Sequence, residues 1–232
     1  MSGNAVLWHR LEHSGYLGDL PLWHSLTEEF AQGSVCELGA GTGRITHSLA
    51  GAGNRVLAVD SQGELLAALR SGLQPGSCVE TLGRGVEELD RGDLVGFPLI
   101  IAPMLFVNLV CSALPVGEFF KMIRQACSAE AMIALASVGD LSPFERTDSA
   151  QSSEYPQSYV SALLEGPAAG HTLIHTRHLD PTATATSPEF LVPLPTASLA
   201  KAASGSFDFV RTERIPHSNL SAGMDVSLFN AC

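Results

Sequence analysis

The sequence predicts an α/β protein: a doubly wound, mostly parallel seven-stranded sheet with an inserted antiparallel ribbon. Three observations predict it. Between residues 35 and 138, short apolar runs alternate with helical patterns five times, the mark of parallel strands joined by crossover helices. Those runs are apolar on both faces, as strands buried inside a parallel sheet are. Further on, Phe207–Ile215 and Met224–Phe229 read as a hairpin that closes the sheet.

Residues 1–33 precede the first strand. Trp8, Leu11, Tyr16, Leu17, Leu20, Leu22, Trp23, Leu26 and Phe30 predict short helices with one apolar side. Val35–Leu38 is the first strand. Thr42 is placed to cap a helix over Gly43–Ala52, where Ile45 and Leu49 share a face; Gly51 and Gly53 end it. Arg55–Asp60 is the second strand. Ser61 and Glu64 form an S-x-x-E capping box for the next helix, which buries Leu65, Leu66 and Leu69. Cys78–Leu82 and Leu99–Ala102 are strands three and four. Gly117–Cys127 is a helix burying Phe119, Phe120 and Ile123, and Met132–Val138 is strand five. Residues 140–158 are rich in Ser, Asp, Glu and Gln and read as a loop or lid. Residues 159–165, 171–178 and 189–194 read as the inserted ribbon, and 181–188 is an Ala/Thr/Ser/Pro run. The expected organisation is a helical cap (1–33), a ligand-binding core (34–140), an inserted loop and strands (141–205) and the closing hairpin (206–232).

The chain has 232 residues, the length of one α/β domain with elaborations. Its formal net charge is -11, and its 13 basic residues are scattered. A protein that tracks phosphates clusters Lys and Arg, so nucleic acid is excluded as a substrate class, and an acidic surface argues against anionic lipid. The five cysteines, Cys36, Cys78, Cys111, Cys127 and Cys232, contain no C-x-x-C pair. Cys36 and Cys78 fall in apolar strand patterns as small hydrophobes. A reduced, cytoplasmic protein is expected, and Met1–Arg10 has no apolar signal-peptide core. Phe97–Gly117 is 21 residues without a charge, long enough to span a bilayer. Pro98, Pro103, Pro115 and Asn108 interrupt it, and a buried strand followed by a loop is expected instead.

The most informative stretch is Val35-Cys36-Glu37-Leu38-Gly39-Ala40-Gly41-Thr42-Gly43-Arg44, with Asp60 ending the next strand. Alternate glycines let the backbone turn sharply and approach a ligand closely. The spacing is G-x-G-x-G, not the G-x-G-x-x-G of a pyrophosphate site. Glu37, two residues before the first glycine, has no use beside a pyrophosphate but suits a cationic sulfonium amino acid. This combination resembles the first motif of the class I S-adenosylmethionine-dependent methyltransferases, over roughly residues 14–140. The resemblance implies that Glu37 lies near the methionine amino group. It implies that Gly39, Gly41 and Gly43 wrap the methionine and ribose, and that Asp60 accepts from the ribose hydroxyls. Ala40, Ser61, Ala102 and Met104, in or beside the same loops, complete the expected contacts, and Tyr16 covers the methionine end. Tyr16 has an equal reading as part of an apolar helix face. The adenine motif departs from the family: Gly85 stands where an acid is usual, leaving the Val86 and Glu87 backbone or the Glu87 side chain for that role. Phe97-Pro98 likewise replaces the usual aromatic-Asp pair before strand four.

Ala102-Pro103-Met104-Leu105-Phe106-Val107-Asn108 resembles a run in small-molecule methyltransferases, not the motifs of enzymes that methylate nucleic acids. Met104, Phe106 and Asn108 are expected between sulfonium and acceptor, although Met104 and Phe106 also read as core. A sulfonium is drawn to aromatic faces, and methyl transfer needs alignment and desolvation more than a strong base. Among His9, His13, His24 and His47, His13 beside Tyr16 is the preferred base, with a solvated histidine as the alternative. Tyr16, His13 and Asn108 are thus the catalytic candidates. His171, His175 and His178 are not expected to hold metal. On a strand the first two face one way but stand about 13 Å apart, whereas zinc ligands lie at ~2.1 Å. The expected function is methyl transfer to a small metabolite by a monomer or homodimer. Two alternatives stay open: cyclisation of S-adenosylmethionine to azetidine-2-carboxylate and methylthioadenosine, and cofactor binding without turnover.

Overall fold

The computed structural model describes residues 5–13, 15–141, 148–151, 159–165, 171–180, 183–216 and 223–232, with mostly backbone between 148 and 187. Two helices, α1 (Ala5–His13) and α2 (Leu20–Phe30), lead into strand β1 (Ser34–Leu38). Then come α3 (Arg44–Gly51), β2 (Arg55–Val59), α4 (Gly63–Ser71), β3 (Val79–Leu82) and β4 (Leu99–Ala102). After β4 the chain forms α5 (Phe106–Val110), α6 (Val116–Ala126) and β5 (Met132–Ser137). Strands β6 (Asp148–Gln151), β7 (Tyr159–Glu165), β8 (His171–Asp180) and β9 (Ala183–Leu191) follow, then α7 (Thr196–Ala203), β10 (Phe207–Ile215) and β11 (Met224–Ala231).

The main sheet has seven strands in the order β10-β11-β5-β4-β1-β2-β3. β1 pairs in parallel with both β2 and β4, and β4 with β5. β11 is antiparallel to β5 and β10 on either side of it. A second sheet, β6-β7-β8-β9, is antiparallel throughout. The expected fold class is therefore the observed one.

The strand period of two sorts the core. Cys36, Leu38, Leu57, Val59, Ile100 and Ala102 pack with Phe119, Phe120 and Ile123 of α6 and Leu199 of α7. Val35, Val56, Leu99 and Ile101 pack on the other face with Trp23 and Leu26 of α2 and Ile45 and Leu49 of α3. Glu37 shares the parity of Val35 and so faces α3. Phe120 anchors the first layer, with ring centroids 5.6, 5.2 and 5.9 Å from Phe119, Phe229 and Phe207.

Several local expectations change. Thr42 does not cap α3: Gly43, at φ 91°, is the N-cap and makes no side-chain cap bond. The Ser61–Glu64 capping box does not form, because α4 starts at Gly63 with Gln62 as N-cap; the Gln62 N–H instead donates to Asp60 Oδ1 at 2.8 Å. Cys78 is exposed, because β3 is an edge strand with only partly buried residues. β6 lies inside the expected 140–158 loop, and the 181–188 run is mostly strand, because both gain partners in the second sheet. α5 and α7 were not expected; α7 starts after Pro195, which cannot extend a strand. Phe97–Gly117 holds β4 and α5, and no described helix is long and apolar enough to cross a membrane.

Candidate active site

Strand order reverses between β1 and β4, and at such a switch the loops beyond the carboxyl ends diverge and leave a crevice. A cavity of about 550 Å³ opens there, a size usual for small-molecule sites.

Its floor is the glycine loop. Gly39 and Gly41 have φ of 70° and 55°, a left-handed backbone that disfavours side chains. Space excludes them too: a Cβ on Gly39 would lie 2.3 Å from the Phe106 ring, and one on Gly41 2.2 Å from His9 Nε2. The Gly41 N–H donates to Asp60 Oδ2 at 2.8 Å, which ties the loop to the end of β2. Glu37 is buried yet reaches the cavity wall. Its Oε2 accepts from Thr46 Oγ1 at 2.5 Å. Burial raises its pKa to about 8, against the opposing pull of the Thr46 bond and Arg44. Met104 holds φ of 57°, a conformation that costs a non-glycine residue about 1–3 kcal/mol.

Of the expected cofactor residues, Glu37, Gly39, Ala40, Asp60, Ser61, Val86, Glu87 and Met104 line the cavity. Gly85 and Arg84 line it beside them, and Arg84 is paired with Asp90 and Asp93 at 2.6 and 2.7 Å. Gly41 and Gly43 shape the loop from behind the wall, and Ala102 is fully buried at the end of β4.

Two catalytic candidates are not in the wall. Tyr16 is buried with Trp23 and Leu26, and the Arg44 guanidinium lies 5.5 Å from its ring centroid. The same guanidinium is bidentate to Asp19 at 2.6 and 2.7 Å and donates to the Tyr16 carbonyl. Tyr16 thus belongs to the joint between α2 and α3. Asn108 is fully buried: Nδ2 donates to the Val138 and Val192 carbonyls at 2.9 and 2.7 Å, and Oδ1 accepts from Val138 N. With both ends of its amide engaged by backbone, it is a structural tie. His13 does line the cavity, and its ring meets that of His9 at 4.5 Å. His24 and His47 bond Ser48 Oγ and the Leu69 carbonyl. The His171, His175 and His178 side chains lie outside the described residues.

Sequence reasoning undervalued the roof. His9 and His13 of α1 and Glu189 and Leu191 of β9 also line the cavity, with the His9 ring seated on Gly41. Burial lowers the His9 pKa, against the pull of Asp60, Glu12 and Glu189. Phe106, Leu109, Val110 and Leu114, on and after α5, make an apolar wall. Of these, Phe106 and His13 are expected at the site and His9 is weighed as a base, whereas Leu109, Val110, Leu114, Glu189 and Leu191 carry no signal beyond an apolar run or a strand pattern.

No protein-family model matches the chain, and no curated protein matches it. Solved structures do. The CcbJ methyltransferase from Streptomyces caelestis aligns with a TM-score of 0.72 at 19% identity, over 93% of this chain and 90% of that one. An S-adenosylmethionine-dependent methyltransferase from Clostridium acetobutylicum ATCC 824 aligns at 0.71 and 11%, over 98% and 97%. CalS10, an amino pentose methyltransferase from Micromonospora echinaspora with S-adenosylmethionine bound, aligns at 0.69 and 12%, over 97% of each. The chain shares their fold.

Proposed function

We propose that the chain transfers a methyl group from S-adenosylmethionine to a small metabolite. One observation carries this reading: a left-handed glycine loop, tied to Asp60 and flanked by buried Glu37, opens into a cavity at the sheet's switch point. The glycines leave room for close approach, and the acids suit a cationic amino acid with a ribose. Glu37, Gly39, Ala40, Asp60, Ser61, Val86, Glu87 and Met104 would hold the cofactor, and the apolar α5 wall suits an adenine whose usual acidic partner is missing here. S-adenosylmethionine, when bound, supplies an electrophilic methyl group. Phe106, packed over Gly39, presents an aromatic face of the kind that attracts a sulfonium.

The lining charges also select an acceptor. Asp60, Glu87 and Glu189 line the cavity beside Glu37, whose pKa burial raises to about 8, while Arg44 and Arg84 are held in ion pairs with Asp19, Asp90 and Asp93. Among the described residues an anionic acceptor would meet no uncommitted arginine there, and a neutral molecule or a basic amine fits. His13, and His9 kept neutral by burial, are the bases at hand, and β9 lends Glu189 to the acceptor side. A reducing, cytoplasmic setting is proposed from five cysteines without a C-x-x-C pair.

Calorimetry with S-adenosylhomocysteine tests the reading. Wild type is expected to bind, and Asp60→Ala to bind about 1–3 kcal/mol more weakly through lost bonds to a charged acceptor. No heat with wild type would sink the proposal. Mass spectrometry after incubation with S-adenosylmethionine alone should find it intact; methylthioadenosine above background would favour the cyclase alternative.

A further inference from the structure

α1 is a helix of nine residues whose one fully buried side chain is Trp8. In isolation a helix of that length is marginal in water. It is held in place by α4 on one side and by β6 and β7 of the second sheet on the other. His9 brings it onto the glycine loop. The His9 ring packs on Gly41 where any Cβ would stand, 2.2 Å from Nε2 and 2.3 Å from Cε1. His9 Nδ1 meets Thr42 Oγ1 at 3.2 Å. His13, one turn on, shares that helix face and stacks on His9 at 4.5 Å and 56°. Both rings line the cavity. The loop is therefore gripped from two sides: by Asp60 through the Gly41 N–H, and by His9.

We propose that His9 is a positioning residue that latches α1 onto the glycine loop, so that docking of α1 and occupancy of the cavity favour one another. A ligand in the cavity packs against the docked His9 and His13 rings that line it and so favours the docked helix. A seated His9 keeps the roof on the ligand. Coupling of this kind is reciprocal by linkage. α1, short and with few buried contacts, belongs to the low-stability end of the molecule, where opening is local rather than global. The choice of ligand rests on the S-adenosylmethionine reading above; the latch itself does not.

Hydrogen exchange read by mass spectrometry, on ligand-free wild type and His9→Ala, tests the latch first. Exchange over residues 5–13 should rise about tenfold in His9→Ala, the order expected for one lost hydrogen bond and its packing, with β1 and β4 unchanged. Stopped-flow binding of S-adenosylhomocysteine then tests the coupling. The ligand should slow exchange over 5–13 in wild type. It should leave His9→Ala about tenfold faster, with association changed by less than about twofold, because a latch acts after encounter. His9→Asn, whose amide takes the Nδ1 position that meets Thr42, should recover part of both effects, and it serves if the alanine variant folds poorly. Unchanged exchange over 5–13 without ligand overturns the latch, whatever the ligand is. Faster exchange with unchanged dissociation overturns the coupling. A wild type that does not bind S-adenosylhomocysteine sinks the cofactor reading, and the ligand-free comparison still decides the latch.

Discussion

The floor and the roof of the cavity are built by different means. The floor is the glycine loop after β1, with Asp60 after β2 and Met104 after β4. Its strands are buried on both faces, and Val35, Cys36 and Leu38 have no exposed surface. The roof is α1 and β9, an edge strand of the second sheet, where Phe190 is 63% exposed. Strands, helices and a carboxylate together hold the floor. The roof is a nine-residue helix and a strand paired along one side only, with β8. The difference teaches where affinity and where turnover reside: a preorganised floor lowers the cost of binding, while a loosely held roof lets ligands pass.

The largest expected effect comes from loosening the floor's link to α2. Asp19 is fully buried, bidentate to Arg44 and bonded by Trp23 Nε1 at 3.0 Å. Asp19→Ala strands the guanidinium and should cost about 3–5 kcal/mol, read by urea unfolding. Equal loss in an Asp19→Ala, Arg44→Leu double variant would show that the pair itself contributes and that the stranded charge does not.

Next comes the tie between the parts. Asn108, beside the floor, holds Val192, just past the roof strand. Asn108→Ala leaves buried backbone groups unbonded and should cost about 2–4 kcal/mol. If the roof is the weaker part, limited proteolysis should cut first between 141 and 192, with β1–β5 intact; simultaneous cutting of both would erase the distinction.

The smallest effect is a pH dependence confined to the floor. The folded-state pKa of Glu37 is raised to about 8. Above its ordinary pKa of about 4.3 the unfolded chain has lost that proton and the folded chain keeps it, so the group's contribution falls as pH rises towards 8. Glu37→Gln removes that decline. Between pH 6 and 8 the variant should gain roughly 1–3 kcal/mol relative to wild type, measured by paired urea melts. A constant difference would mean that Glu37 is already ionised in the folded protein.

Legibility follows the range of the contacts. The glycine loop shows in the sequence because its demand is local: a strand must turn into a helix, and only glycine accepts φ of 70° beside Phe106. The alternating faces of the sheet are local too. Asn108 does not show, because one partner is 84 residues away. His9 was one histidine among several until its neighbour, 33 residues on, was known. Tyr16 sits near the motif in sequence, yet Arg44 draws it into the α2–α3 joint. Cys78 reads as apolar, and only the strand order reveals an edge.

One feature of the sheet sets a timetable. β11 sits between β5 and β10, pairs with both, and its Val226, Leu228 and Phe229 have no exposed surface. On the ribosome, β1 to β5 emerge with every loop of the floor, yet the outer edge of β5 stays bare until residue 231 has left the exit tunnel. For that interval the nascent chain carries an open, apolar strand edge, which is the surface that misassembly and chaperones both seek.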